Sequence, residues 1–284
     1  MTIETATGQV NVLHRLALGV ECLDTLSDRL TLTPLRVGRQ AAGRLLPRGV
    51  DPGWPCLDLE ASGPARFKLR FQSSLSETGK GVVVRLDDPA RRYVPRRVTV
   101  HPWPLAQLDE TTGQPYVPVR SRLLRVWLWP GAAYPLPQGT TVIRGRVVHK
   151  SRPVRWARLV AMGPTNEVAG RAHADDRGEF LLVITDPAQN PLQSTVPVDV
   201  SVQAPKAQDP PDPVDPLDRC ADLVVEDVPR SAAPPAPTDL DNDVLRGSAV
   251  PAGYSANTHS PRHLTVPVGA ELTLTDDIVF DPQP

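Results

Sequence analysis

Residues 141–184 read TVIRGRVVHKSRPVRWARLVAMGPTNEVAGRAHADDRGEFLLVI. Short apolar runs separated by turn residues divide this stretch into strands Val142–Val148, Arg155–Met162, Val168–Ala174 and Glu179–Ile184. Turns are expected at Lys150–Pro153, at Gly163–Asn166 and at Asp175-Asp176-Arg177-Gly178. The last has a mechanism: Asp bonds its own backbone and Gly supplies a positive φ. Asp175, Asp176 and Gly178 are therefore structural turn residues. A calcium loop needs about six or more oxygens, more than this turn offers. A further strand, Val196–Val202, completes a small sandwich of about 65 residues.

Gly145-Arg146-Val147, Pro153-Val154 with Ala157, and Asp175-Asp176-Arg177-Gly178-Glu179-Phe180 carry a resemblance to the carboxypeptidase regulatory-like family. Leu159 stands where that pattern has Val. The resemblance covers roughly 141–203 and implies a transthyretin-like or Ig-like β-sandwich. Such domains are usually non-catalytic spacers, adhesion or assembly modules, so no peptidase activity follows.

Upstream the pattern is also short strands, partial over Val10–Leu18 and clean at Phe67, Leu69 and Phe71. The turn Glu77–Gly81 suggests a hairpin joining that last strand to Val82–Val84. Strands follow at Val98–Val100 and Leu123–Leu128, with one short helical candidate at Ala106–Glu110. The expected class is all-β, with an N-terminal sandwich or barrel. Proline supports this, at 33 of 284 residues, because it breaks helices. Charge then divides the chain: 1–204 carries +8, 205–243 carries −7 and 244–284 carries −2. The expected domains are 1–138 (N-terminal β), 139–204 (sandwich), 205–243 (acidic Pro-rich extended linker) and 244–284 (C-terminal β segment). The linker has too little apolar surface to offset its ordering entropy. The last segment reads as a hairpin turning near Gly269. It is too short for its own core, so it docks on the body or a partner.

Asp88-Pro89-Ala90-Arg91-Arg92-Tyr93-Val94-Pro95-Arg96-Arg97, Trp129-Pro130-Gly131 through Tyr134-Pro135, and Pro153–Arg158 carry a second resemblance, spanning about 10–190. It is to proteins that accompany bacterial phage-tail-like contractile injection systems. It implies a structural component of a symmetric assembly, at the cap or another terminal layer. The implied partners are sheath, tube or terminal-layer subunits, with a ring-like homo-oligomer.

The strongest local signal is Arg91, Arg92, Tyr93, Arg96 and Arg97, with Arg85 upstream. Arg and Tyr are enriched at interface cores, and guanidinium grips carboxylates bidentately. We read these five residues as a protein interface, against a solvated turn partly neutralised by Asp87 and Asp88. The acidic 205–243 segment is one occupant, in cis or from a neighbour. Trp54, Trp103, Trp127 and Trp129 offer an alternative, a carbohydrate-binding or adhesion surface, although tryptophans more often fill small β cores. Trp156 reads as half-buried core, alternating with Arg155 along its strand.

A net charge of −1 argues against a generally basic nucleic-acid binder. No stretch approaches a membrane helix of ~18 apolar residues, and the N-terminus lacks signal-peptide features. A cytoplasmic protein is expected. Cys22, Cys56 and Cys220 form no CxxC, and the six histidines form no HExxH. No nucleophile elbow or phosphate-binding loop occurs. Neither catalysis, nor a metal, nor a cofactor is expected. An unrecognised hydrolase would need convergent titratable groups that the sequence does not announce.

Overall fold

The computed structural model describes residues 3–6, 9–12, 16–40, 51–71, 81–108, 117–185, 194–206, 217–229 and 241–282. Strands β1 (Ile3–Ala6) and β2 (Gln9–Val12) form a hairpin. They precede β3 (Leu16–Asp24), β4 (Arg29–Leu30), β5 (Arg36–Gln40), β6 (Cys56–Asp58), β7 (Glu60–Gly63), β8 (Arg66–Arg70), β9 (Val82–Asp87), β10 (Arg96–Val100) and β11 (Leu123–Leu128). Next come β12 (Val142–His149), β13 (Arg152–Pro153), β14 (Arg158–Met162), β15 (Val168–His173), β16 (Glu179–Val183), β17 (Thr195–Pro205) and β18 (Val225–Asp227). One helical turn, α1 (Asp243–Arg246), leads to β19 (Tyr254–Ala256), β20 (Arg262–Pro267), β21 (Glu271–Thr273) and β22 (Ile278–Val279). The class is all-β. Among the described residues no helix is long and apolar enough to cross a membrane.

The first sandwich packs sheet β18-β10-β9-β5-β6 on sheet β11-β3-β8-β7, with β4 beside β3. Alternate residues face inward, as period 2 requires: Val20, Cys22, Val126 and Leu128 meet Val37, Val84, Leu86 and Val98 in one core. A register shift between Leu16 and Leu18 explains the imperfect alternation there. The expected hairpin of Phe67–Phe71 with Val82–Val84 does not form. β8 and β9 lie in opposite sheets, because β9 is flanked by β5 and β10 and has no edge left. Residues 77–80 of its proposed turn lie outside the described residues. The helical candidate is a 3-10 turn at Leu105–Leu108, and residues 109–110 lie outside the description.

The second sandwich packs β13-β12-β16 on β15-β14-β17-β19. β20 pairs antiparallel with β17, while β21 and β22 pair in parallel with β12. Its core joins Ile143, Phe180 and Leu182 to Leu159, Val198 and Val200, and also to Val266, Ile278 and Phe280. The sandwich is thus not confined to 139–204. Nor is the C-terminal segment a hairpin: around Gly269 the chain crosses from one sheet to the other, and the Gly269 N–H donates to Thr141 Oγ1 at 2.8 Å. Each new strand takes an open edge and contributes to a shared core, which a 40-residue piece cannot build alone.

Trp156 departs from the expected strand. Its φ of 63° places it in the left-handed region, so β14 starts only at Arg158 and Arg155–Arg158 do not alternate. The Asp175–Gly178 turn is tightly built. Asp175 Oδ1 accepts the N–H groups of Arg177 at 2.8 Å and Glu179 at 3.1 Å, and Gly178 sits at φ 72°. A Cβ on Gly178 would lie 2.6 Å from the Val147 carbonyl oxygen. Gly178→Ala combines left-handed strain with a backbone clash and is expected to cost about 2–3 kcal/mol. Chemical denaturation would measure it, and an unchanged midpoint would contradict the geometry.

Candidate functional site: an arginine–carboxylate junction

Asp88 organises the segment read as an interface. Its carboxylate accepts the N–H groups of Ala90, Arg92 and Tyr93 at 2.9–3.2 Å, and Arg91 turns at φ 57°. This aims the five residues in different directions. Arg91 reaches the second sandwich and grips Asp176 bidentately at 2.6 and 3.1 Å. Tyr93 donates to Asp24 Oδ2 at 2.7 Å, an oxygen that Tyr134 shares at 2.6 Å. Arg97 holds Gln40 Oε1 and donates to the Leu223 carbonyl at 2.7 Å. Arg92 alone is exposed. Carboxylates and carbonyls of the same chain engage Arg91, Tyr93, Arg96 and Arg97, and the acidic segment is the occupant of Arg96 and Arg97 in cis.

Arg96 is 1% exposed, and all five of its N–H donors are used. Two go to Glu226 at 2.9 and 2.8 Å. The others go to the carbonyls of Trp127 at 2.8 Å, Leu245 at 2.6 Å and Val244. Arg158 of the second sandwich approaches Glu226 at 3.3 Å. Glu226 thus bridges arginines from both sandwiches. Burial raises its pKa, but Arg96 and Arg158 outweigh that and hold the carboxyl below its usual range.

Glu226 belongs to the stretch expected to be an extended linker. Residues 217–229 of that stretch pack between the sandwiches, and β18 pairs in parallel with β10. Asp218 grips buried Arg85 at 2.9 and 2.8 Å. Arg219 pairs with Asp87 and, at 3.4 Å, with Asp176. Asp222 takes Arg155 at 2.6 Å and the Trp156 indole N–H at 2.9 Å. Cys220 and Leu223 pack with Val94 and Trp156 in a small apolar cluster. The composition rule counts apolar burial, and here charged partners supply the anchoring instead. Burial pushes the thiol of Cys56 up to about 11 and that of Cys220 to about 12, so both stay protonated.

Behind Glu226, Trp129 stacks on His173 across the junction, with ring centroids 4.8 Å apart. His173 Nε2 donates to the Gly247 carbonyl at 2.9 Å, and the Trp129 indole donates to Arg246 at 2.9 Å. With Arg96 on the carbonyls of Val244 and Leu245, these bonds cap the C-terminal end of α1. Burial, then Arg158 and Arg96, hold His173 well below its usual pKa. Protonation therefore favours the unfolded chain, and His173 withdraws stability as pH drops below about 6.5. Glu226 acts lower, below the ordinary glutamate value of about 4.3. Thermal melts should weaken from pH 7 to pH 5, and His173→Gln should flatten that interval while leaving the loss below pH 4.5. An unaltered pH profile in His173→Gln would contradict this.

Trp54, Trp127, Trp129 and Trp156 are buried and Trp103 is half-buried. The buried four donate their indole N–H groups to Asp58, Asp28, Arg246 and Asp222 respectively. They form no exposed platform for a sugar. Sequence reading missed Asp218, Asp222, Glu226 and His173. The only signal for the three acids was the excess negative charge of 205–243 opposite the positive body. No family model, curated protein or solved structure matches this chain.

Proposed function

We propose that this chain is a non-enzymatic structural component of a phage-tail-like contractile injection system, working through protein–protein interfaces at the cap or another terminal layer, and assembled in the cytoplasm with sheath, tube or terminal-layer subunits as a ring-like oligomer. The supporting observation is convergence. The three stretches that carry the resemblance to such systems meet at one place. Tyr93 bridges to Pro130. The N–H of Val94 donates to Trp129 at 2.9 Å, and the N–H of Gly131 donates to Arg92 at 2.7 Å. A Cβ on Gly131 would stand 2.6 Å from the Arg91 carbonyl oxygen, so this approach requires glycine. Trp156 of the third stretch packs with Val94 of the first, and with Arg155 it holds the acidic segment against them. Motifs that couple two sandwiches into one stiff block suit a protein whose job is to hold a fixed shape under load.

Gentle lysis, sedimentation and mass spectrometry test the reading. The expected result is co-migration with sheath and tube proteins in a very large particle. A small free species, in a lysate whose sheath and tube sediment, would overturn it.

A further inference from the structure

The cleft between the sandwiches is built as a receptor for an acidic strand. Arg85, Arg96 and Arg97 line it on one side, and Arg155 and Arg158 on the other. Val94 and Trp156 form its apolar floor. Its occupant adds β18 to the edge of a sheet, which is how many proteins capture a partner's strand. Asp218 answers Arg85, Asp222 answers Arg155 and Glu226 answers both Arg96 and Arg158, while Arg97 takes the segment's Leu223 carbonyl. Spans of ten residues (207–216) and eleven residues (230–240) flank it, the first following β17 of the second sandwich and the second leading to α1, whose Leu245 packs in the core of the first sandwich. Chain of that length reaches about 30 Å, well beyond the ~10 Å thickness of a sandwich.

We infer that residues 217–229 are exchangeable: the cleft of one copy accepts the same acidic segment from a second copy. Nothing in the charge pairing, the β10–β18 register or the apolar floor depends on which copy supplies the segment. The balance is set by concentration. A lone chain fills its own cleft, because tethering gives an effective concentration in the millimolar range. Copies packed side by side offer a competing segment at similar concentration. This deepens the structural reading and rests on it, since it names a copy-to-copy contact within such an assembly.

Thr99 and Asp227 are register partners across β10 and β18, and both lie outside the buried core. Full-length Thr99→Cys is mixed with full-length Asp227→Cys, co-refolded at up to about 1 mM, the tethered range, and oxidised. Exchange predicts a cross-linked dimer that grows with protein concentration and exceeds that of a chain without added cysteines. The double variant in one chain, oxidised dilute, should close on itself. Closure of the double variant without any mixed dimer above control would overturn exchange, and failure of the double variant to close would overturn the cleft pairing itself. The two readings fail separately. Absence of dimer from a chain that sediments with the particle removes only the exchange. A dimer from a chain that never joins the particle removes only the particle assignment.

Discussion

A chain ended after Asp243 is expected to lose its second sandwich, not merely an arm. The deletion strips β19 and β20 from β17, and β21 and β22 from β12. It also removes Val266 and Phe280, each 0% exposed, and Ile278 at 3%. Truncating a buried Phe alone costs about 3–5 kcal/mol. Losing three core side chains together with four strand pairings exceeds the 5–15 kcal/mol that typically holds a domain. The first sandwich loses Leu245 from its core and the α1 carbonyls that Arg96 serves. Circular-dichroism melts with limited proteolysis check this. The expected product is at most a fragment around the first sandwich. Two intact transitions, or protection of 141–205, would show that the arm is dispensable.

Glu226→Ala is the single substitution expected to cost most. It leaves two buried guanidiniums, Arg96 and Arg158, without their shared carboxylate. Breaking a buried pair by removing one partner costs about 3–5 kcal/mol, because the stranded charge stays desolvated. At 2–4 °C per kcal/mol for chains of this size, the melting temperature should fall on the order of 10 °C. Glu226→Gln keeps two acceptor or donor positions but not the charge and should fall between. Val225→Ala, one residue away on the exposed face of β18, should change little. Equal melting temperatures for Glu226→Ala and Val225→Ala would remove the bridge from the account.

Faces were more legible in the sequence than partners. Val142–Val148, Val168–Ala174 and Glu179–Ile184 stand out as short apolar runs bounded by turn residues, and β12, β15 and β16 lie over them. Period 2 says which residues face inward, but not which strand lies alongside. That is why Phe67–Phe71 and Val82–Val84 suggest a hairpin yet lie in opposite sheets, and why the chain around Gly269 crosses between sheets. Trp156 was illegible for another reason: tertiary contacts, not local propensity, hold a bulky residue at positive φ. For the candidate site, the positive half of the junction stood out as an arginine cluster. Its negative half was visible only as a block of net charge, because spacing along a Pro-rich stretch does not tell which carboxylate meets which guanidinium.

The interleaved order of the chain carries a consequence for synthesis. β11 closes the other sheet of the first sandwich at Leu128, yet β18, the edge strand beside β10, begins only at Val225. At 5–20 residues per second, the ribosome takes roughly 5–20 s to make the ~100 residues between them. Throughout that wait Arg85 and Arg96 remain hydrated and the edge of β10 lies open to any passing strand. The nascent first domain therefore leaves the ribosome unfinished until β18 and then Leu245 of α1 arrive, and the second waits longer still, for β19 to β22.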